Sequence, residues 1–456
     1  MRKNTKMTPI TQICASVLSR IKPTEAEKSR LKALAESIIA RINAIGEAEG
    51  LNIKGELVGS SARGTWISGE HDLDIFIMFQ PDVERKELEE KGLYIARKIA
   101  GESQRFEERY AEHPYIHAIF DGFEVDLVPA FKVERASEIK SAVDRTPFHN
   151  IYVSSMIKGL EDEVLVLKQF LKGIGVYGSE LKTQGFSGYL VELLIINYGS
   201  FVKVLEAACE WKSGITIDIE KHGTLVHKDP MIVVDPTDPA RNVAAVLSLD
   251  NMCVFIDRAC EFLKDPDEAY FSGKTVKPLD DKSFNKILKA RGTSLLAIEF
   301  ATPDVVEDVL FPQLYKVRES IHEMFERYDF HVYNKSVWAQ KTAVVLFELE
   351  SSKLPHVKIH AGPQVWSKEH AWAFKSKYTG SDTFSNVFIR DGRFMVEIPR
   401  KYDRAKKLVE SEIFNCALGK HLAVSIKNEF HVLEDEEILS IKDNEFRKFL
   451  RKFFEK

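Results

Sequence analysis

The stretch Asp72–Phe79, DLDIFIMF, most narrows what this chain can fold into. Apolar Leu73, Ile75, Ile77 and Phe79 alternate with Asp72 and Asp74 at its start, and side chains two apart on a strand share a face. The spacing predicts a strand with both carboxylates on one side and Leu73 and Ile75 anchored on the other. Upstream, Leu57 and Val58 predict a short strand entering a small-residue turn, Gly59-Ser60-Ser61-Ala62-Arg63-Gly64. Two neighbouring carboxylates repel, and one holds a proton unless a cation neutralises both. Hard oxygen ligands at this spacing suit Mg²⁺, which completes its shell with water and phosphate oxygens. The turn adds backbone N–H groups, the Ser60 hydroxyl and the Arg63 guanidinium, the donors a triphosphate needs. A lone D-x-D also reads as a solvated strand edge; the G-S-x-x-R-G turn ahead of it favours the phosphate reading.

A third carboxylate is expected on a partner strand. Tyr115–Phe131 reads YIHAIFDGFEVDLVPAF, with Asp121-Gly122 as a hairpin signal between two apolar runs. Glu124 and Asp126 alternate there with Val125 and Leu127. Asp126, mid-strand, completes the triad with Asp72 and Asp74; Glu124 shares its face and is the second choice. Such a triad holds two metal ions that orient an attacking hydroxyl and stabilise a leaving oxygen.

A chain of 456 residues has room for about three domains. The net charge of −5 argues against a general polycation but not against a local basic face that binds RNA. The five cysteines are scattered without a C-x-x-C, which fits a reducing cytoplasm and gives no zinc site. No apolar run reaches membrane-spanning length and no signal-peptide core is present, so a cytoplasmic protein without a membrane partner is expected.

Thr24 and Glu27 form a capping box for a helix over 24–49, with Leu31, Leu34, Ile38, Ile42 and Ile45 as its core stripe. Residues 84–110 read as a densely charged helix. His113 and His117 have the spacing of helical zinc ligands, but Pro114 and the alternation after it predict a strand, where that spacing gives no pair. DRTPFH, Asp144–His149, reads as a connection because Pro147 disfavours helix at Thr146. Val164–Leu171 predict a helix ending in the glycines of GIGVYG, Gly173–Gly178. These follow a helix rather than a strand, so they do not fit a dinucleotide loop. With GFSG, Gly185–Gly188, which lacks the full nucleophile-elbow pattern, they permit a sharp reversal between helices. Lys168 and Tyr177 flank it, an ammonium suited to phosphate and a phenol suited to ribose or phosphate. Residues 187–208 and 243–263 read as helices, and DPTDPARNVAA, 235–245, as a proline-fixed loop carrying Arg241.

The ordered set GSSARGTW, DLDIFIMF, FEVDLVPAF, DRTPFH, LKQFLKGIGVYGSELKTQGFSGYL and DPTDPARNVAA covers residues 57 to about 245. Its first members resemble the DNA polymerase β-like nucleotidyltransferase superfamily, and the whole set resembles the archaeal-type (class I) CCA-adding enzymes. The resemblance implies an α+β multidomain fold: a nucleotidyltransferase domain over 1–150 with a mixed sheet plus helices, a helical central domain over 151–280, and an α+β C-terminal region over 281–456. It implies transfer of C, C and A from CTP and ATP to the 3′ end of tRNA without a nucleic-acid template, through two Mg²⁺ on Asp72, Asp74 and Asp126. It further implies Ser60, Arg63, His149, Lys168 and Tyr177 around the triphosphate, Arg241 at the base, and a homodimer. The family often has a basic residue before GFSG where this chain has Gln184. A poly(A) polymerase, an antibiotic-modifying nucleotidyltransferase and a non-catalytic RNA-binding protein are the alternatives.

From about 283 the pattern changes. A strand over 294–300, a long helix over 303–328, a strand pair over 331–350, a helix over 367–378, a hairpin around Asp391-Gly392 and helices over 406–418 and 446–456 predict an α+β region. A tail subdomain is expected as an insertion at about 331–404. Strand–helix–strand units of this kind resemble ferredoxin-like RNA-binding modules, though no RNP aromatic signature is present. Lys368, Lys375, Lys377, Arg390, Arg393, Arg400, Lys401, Arg404, Lys406 and Lys407 are the expected footprint of the tRNA stem.

Overall fold

The alternation of DLDIFIMF does produce a strand. The computed structural model describes residues 8–110, 113–223, 228–273 and 275–455. The chain separates into two compact units, Met1–Lys274 and Thr275–Lys456.

The first unit opens with helices α1 (Pro9–Ile21) and α2 (Glu25–Ala48). Thr24 and Glu27 form the expected capping box, and Leu31, Ile38 and Ile42 are buried along α2. Strand β1 (Ile53–Val58) runs into a single turn of helix, α3 (Gly59–Arg63), and then β2 (Asp72–Phe79). Helix α4 (Arg85–Ala100) leads to β3 (Arg105–Tyr110), β4 (Pro114–Phe120) and β5 (Phe123–Phe131). The sheet order is β1-β2-β5-β4-β3, with β2 and β5 parallel and the other neighbours antiparallel. Leu73, Ile75, Ile77, Val125 and Leu127 pack with α2 and α4 in one core.

The charged run read as one helix over 84–110 is a helix and a strand. Gly101 ends α4, and Arg105–Tyr110 pairs with β4 as the outer strand. Charge on both faces is what an edge strand tolerates, so it carries no apolar alternation to distinguish it. DRTPFH is likewise not a connection. Pro147 sits in the first turn of α5 (Thr146–Met156), where its missing N–H costs no intrahelical bond.

Helix α6 (Glu161–Gly173) follows, then α7 (Gly188–Tyr198) and α8 (Phe201–Ala208), short strands β6 (Ile215–Ile217) and β7 (Met231–Val233), and α9 (Leu249–Lys264). The stretch read as one helix over 187–208 bends by 92° between α7 and α8. Gly199 in the left-handed region ends the first, and the Ser200 hydroxyl caps the second. Among the described residues no single helix is long and apolar enough to cross a membrane. Helix α9 starts at Leu249, later than expected, capped by Ser248. The glycine-rich reversal is as expected: a Cβ at Gly185 would lie 2.0 Å from the Val176 carbonyl oxygen, where Tyr177 and Phe186 form a parallel bridge. Packing of α8 on α9 brings Cys209 and Cys260 to a Cα separation of 5.5 Å, and they form a disulfide. The scatter of the cysteines therefore does not report the compartment.

The second unit contains α10 (Asp281–Arg291), β8 (Ser294–Ala301), α11 (Glu307–Arg327), β9 (Val332–Ala339) and β10 (Thr342–Leu349). Next come β11 (Val357–Gln364), α12 (Lys368–Tyr378), β12 (Phe388–Arg390) and β13 (Arg393–Pro399). It ends with α13 (Ala405–Glu412), α14 (Lys420–Asn428), β14 (Phe430–Glu434) and α15 (Asn444–Phe454). One sheet has the order β14-β8-β10-β9, all antiparallel. A separate sheet, β11-β13-β12, packs α12 through its own small core of Ala371, Phe374, Phe394 and Val396. The insertion is thus narrower than 331–404, because β9 and β10 belong to the larger sheet.

Candidate active site

The parallel register sets Asp74 beside Asp126 and Asp72 beside Glu124. Adjacent strands lie about 4.8 Å apart, so four acidic side chains crowd one face of the sheet near the starts of two interior strands. Burial, then the charges of Asp126 and Asp72, push the Asp74 carboxyl up to about 6. Burial followed by neighbouring carboxylates also raises Asp72. Burial raises Asp126 too, although a hydrogen bond from His117 Nδ1 at 2.7 Å opposes it. Among the described residues no three His, Cys, Asp or Glu side chains close on one point as a metal's ligands. Asp126 is turned toward His117 instead. The donor set is nonetheless right for a hard divalent cation: oxygen-rich, crowded, and short of protein charge to neutralise it.

Gly59 lets the backbone pass close to Asp74. Its φ of +77° suits glycine, and a Cβ there would lie 2.1 Å from Asp74 Oδ2. The start of α3 therefore sits against the carboxylate, with Ser60 half-buried beside it. The Ser61 hydroxyl donates to the Asp72 carbonyl oxygen and ties α3 to β2.

Arg63 is not free. Its guanidinium donates to Glu192 Oε1 through Nε at 3.0 Å, lies in ion-pair contact with Oε2 through Nη2 at 2.9 Å, and donates to Asn150 Oδ1 at 3.2 Å. Glu192 is fully buried on α7 and also accepts from the Thr65 hydroxyl at 2.5 Å. Lys168, buried on α6, donates to the Thr65 carbonyl oxygen at 2.8 Å. Burial pulls its ammonium down while Glu192 opposes the shift. The Tyr177 hydroxyl and the Lys168 ammonium both reach the start of α7, 3.2 and 3.7 Å from an ideal Cβ at Gly188. Arg63, Lys168 and Tyr177 thus come together, around an acid that no sequence motif marked.

His149 and Arg241 also meet at one acid. Asp235 Oδ2 lies 2.8 Å from Arg241 Nη1 and 2.9 Å from His149 Nε2. The Tyr189 hydroxyl donates to Oδ1 at 3.1 Å, and the imidazole of His149 stacks on the Tyr189 ring at 4.0 Å. Burial alone would raise Asp235, but His149, the Thr237 amide and Arg241 outweigh it and hold the carboxyl well below the usual range. Arg241 borders a cavity of about 460 Å³, lined also by Arg145, Asp238 and Asn242.

Sequence reasoning assigned no site role to His117, Glu192, Asp235 or Tyr189. Glu192 left a signal, a single charge inside the apolar helix GYLVELLIINY. His117 left none, because its contact is set by pairing of β4 with β5. Of the expected basic footprint, Arg400, Lys401 and Lys406 pair with Asp329, Glu412 and Glu437. Lys368, Lys375 and Lys377 lie on α12, and Trp372 of the same helix is 74% exposed.

Three family models match the chain: a nucleotidyltransferase domain over residues 41–149, the second domain of tRNA nucleotidyltransferase over 162–272, and the C-terminal domain of CCA-adding enzyme over 291–435. The CCA-adding enzyme of Methanosarcina acetivorans is 51% identical over 440 residues, spanning 96% of this chain and 97% of its own. That of Methanosarcina mazei is 51% identical over the same shares. That of Halobacterium salinarum is 41% identical over 421 residues, 91% of this chain and 92% of its own. With full-length similarity at this level, and acids, donors and glycine placed as described, the chain belongs to the CCA-adding enzyme family of nucleotidyltransferases.

Proposed function

We propose that the protein adds C, C and A to the 3′ end of tRNA from CTP and ATP, releasing pyrophosphate, with two Mg²⁺ held by Asp72, Asp74 and Asp126. The observation that supports the metal site best is the register of Asp74 with Asp126, an acidic pair whose charge the protein leaves under-compensated. When bound, divalent cations supply activation of the attacking hydroxyl and neutralisation of the leaving phosphate charge.

The chain's own residues bind and orient. The backbone N–H groups of α3 and the Ser60 hydroxyl are the proposed triphosphate contacts, with Tyr177, Arg63 and Lys168 as further donors, the last two held by Glu192 and Thr65 in this structure. His149 is a further proposed contact, on the family resemblance. Arg241 presents guanidinium donors toward the adjoining cavity. The edge of cytosine at N3 and of adenine at N1 accepts hydrogen bonds, whereas uracil and guanine carry a proton at the corresponding positions. A guanidinium therefore favours CTP and ATP. RNA phosphates would complete the pocket, so no template strand is required. The basic groups of the β11-β13-β12 sheet and α12 are the proposed contact for the tRNA stem. A homodimer acting in the cytoplasm completes the proposal, on family membership alone.

Primer extension tests it. Transcribed tRNAs ending before CCA, after C and after CC would each receive one labelled nucleotide with Mg²⁺, and products would be sized on a sequencing gel. C added to the first two, one A added to the third, and no G or U is the expected result. Long A tails would indicate a poly(A) polymerase, and binding without extension a non-catalytic RNA-binding protein.

A further inference from the structure

Asp235 is a fully buried carboxylate that the proposed chemistry does not use. Its oxygens are nonetheless saturated. Oδ2 takes Arg241 Nη1 at 2.8 Å and His149 Nε2 at 2.9 Å. Oδ1 accepts from the Tyr189 hydroxyl at 3.1 Å and from the amide and hydroxyl of Thr237, each at 2.9 Å. The loop around it is closed by its own backbone. The Asp235 amide donates to the Arg241 carbonyl oxygen at 3.0 Å, and the Arg241 amide donates to that of Asp238 at 2.9 Å. Arg145 Nε, at the base of α5, donates to Asp238 at 2.8 Å and pins the same loop from outside.

This arrangement fixes a direction. An arginine side chain on a surface loop samples many rotamers, and its donors specify nothing until the planar group is held. Here one nitrogen, Nη1, is committed to Asp235, which restricts the orientation of the guanidinium and of its remaining N–H groups before any ligand arrives. The side chain remains 36% exposed. We propose that Asp235 is a positioning residue for nucleotide choice: it fixes which N–H edge Arg241 offers to an incoming base. The inference rests on the reading of Arg241 as the base-facing group.

Asparagine at 235 keeps the shape but replaces one acceptor with an amide N–H₂ among donors. Arg241 is released, and discrimination falls more than catalysis does. The experiment measures kcat and KM for CTP and UTP separately on a tRNA ending before CCA, for wild type, Asp235→Asn and Arg241→Lys. Asp235→Asn is expected to raise KM for CTP about tenfold or more, to change kcat less, and to lower the CTP-to-UTP ratio of kcat/KM by about tenfold. Loss of a merely structural support would lower both nucleotides together and leave that ratio unchanged. If Arg241→Lys changes the ratio and folded Asp235→Asn does not, the inference is overturned. If Arg241→Lys leaves the ratio intact, the reading of Arg241 itself fails. Tyr189→Phe and Thr237→Val, which each remove one side-chain donor to Oδ1, decide the matter if Asp235→Asn does not fold. Partial shifts of the ratio in the same direction support the proposal, and none in either overturns it.

Discussion

Two groups of acids occupy the first unit, and they differ in the partners the fold supplies. Asp72, Asp74 and Asp126 share one face of the sheet with Glu124, and their carboxyls are raised. Asp235 is more deeply buried, yet its carboxyl is held far below the ordinary range. Burial opposes charge in both places. The difference is supply: Asp235 has an arginine, a histidine, a tyrosine and a threonine around it, while the acids of β2 and β5 have mainly one another, with His117 on Asp126. A buried acid with its partners built in is architecture. On the proposed reading, an acid cluster without them takes its compensating charge from outside the chain.

The sharpest way to break this contrast is Asp74→Asn. It is expected to lower the rate of nucleotide addition roughly a hundredfold or more, measured by single-turnover extension. The same variant is expected to melt a few degrees higher than wild type in metal-free buffer, because it removes repulsion. The sign follows from the raised carboxyl. In the folded chain Asp74 binds its proton up to about pH 6, above its unfolded value, so its contribution to wild-type stability falls as pH rises from about 4 to 6. A lower melting temperature for the variant would place Asp74 with the architectural acids.

Glu192→Gln tests the other side. It leaves the buried Arg63 and Lys168 without their acid. A loss of about 3 kcal/mol of stability is expected, read from denaturant midpoints, with a weaker KM for nucleotide. Gly59→Ala is milder in stability but pushes a Cβ into Asp74 Oδ2. A fall of about tenfold in kcat is expected, in line with a misplacement of the reacting geometry.

In the second unit, Lys375→Ala with Lys377→Ala is expected to weaken tRNA binding several-fold and to flatten the slope of log affinity against log salt by about one for each lysine removed. Lys406→Ala, whose ammonium already pairs with Glu437 at 2.7 Å, is expected to change neither. The smallest effect on stability belongs to Glu27, held at about 2 by the Thr24 amide and the Ser68 hydroxyl. Because its folded value is depressed, its stabilisation is full above about pH 4.5 and is lost as pH falls toward 2. Glu27→Gln is expected to cost about 1 kcal/mol at pH 7 and nothing near pH 2, by thermal melts at both.

What the sequence made legible is what one element decides by itself. The carboxylates of β2 and β5 alternate with apolar residues along their strands, the Asp121-Gly122 turn joins its neighbours, and the capping box starts α2, each from residues a few positions apart. What stayed hidden depends on partners far along the chain. Glu192 meets Arg63 across 129 positions, and His149 meets Asp235 across 86. Arg105–Tyr110 is a strand only because β4 offers it an edge. The α7–α8 bend was available locally, in Gly199-Ser200, but the continuous apolar pattern masked it.

Helix α7 carries Tyr189 and, three positions later, Glu192. Their Cβ atoms lie one helical turn apart, about 5–6 Å. One touches the acid that holds Arg241, and the other is the acid that holds Arg63. On the proposed reading, the distance between the grip on the base and the grip on the phosphates is therefore a gauge cut into a single rigid turn. CTP and ATP are measured against the same length, and the extra ring of the purine has to be accommodated on the nucleic-acid side. Deleting one residue between the two would turn one grip about 100° away from the other, leaving each intact and the gauge lost.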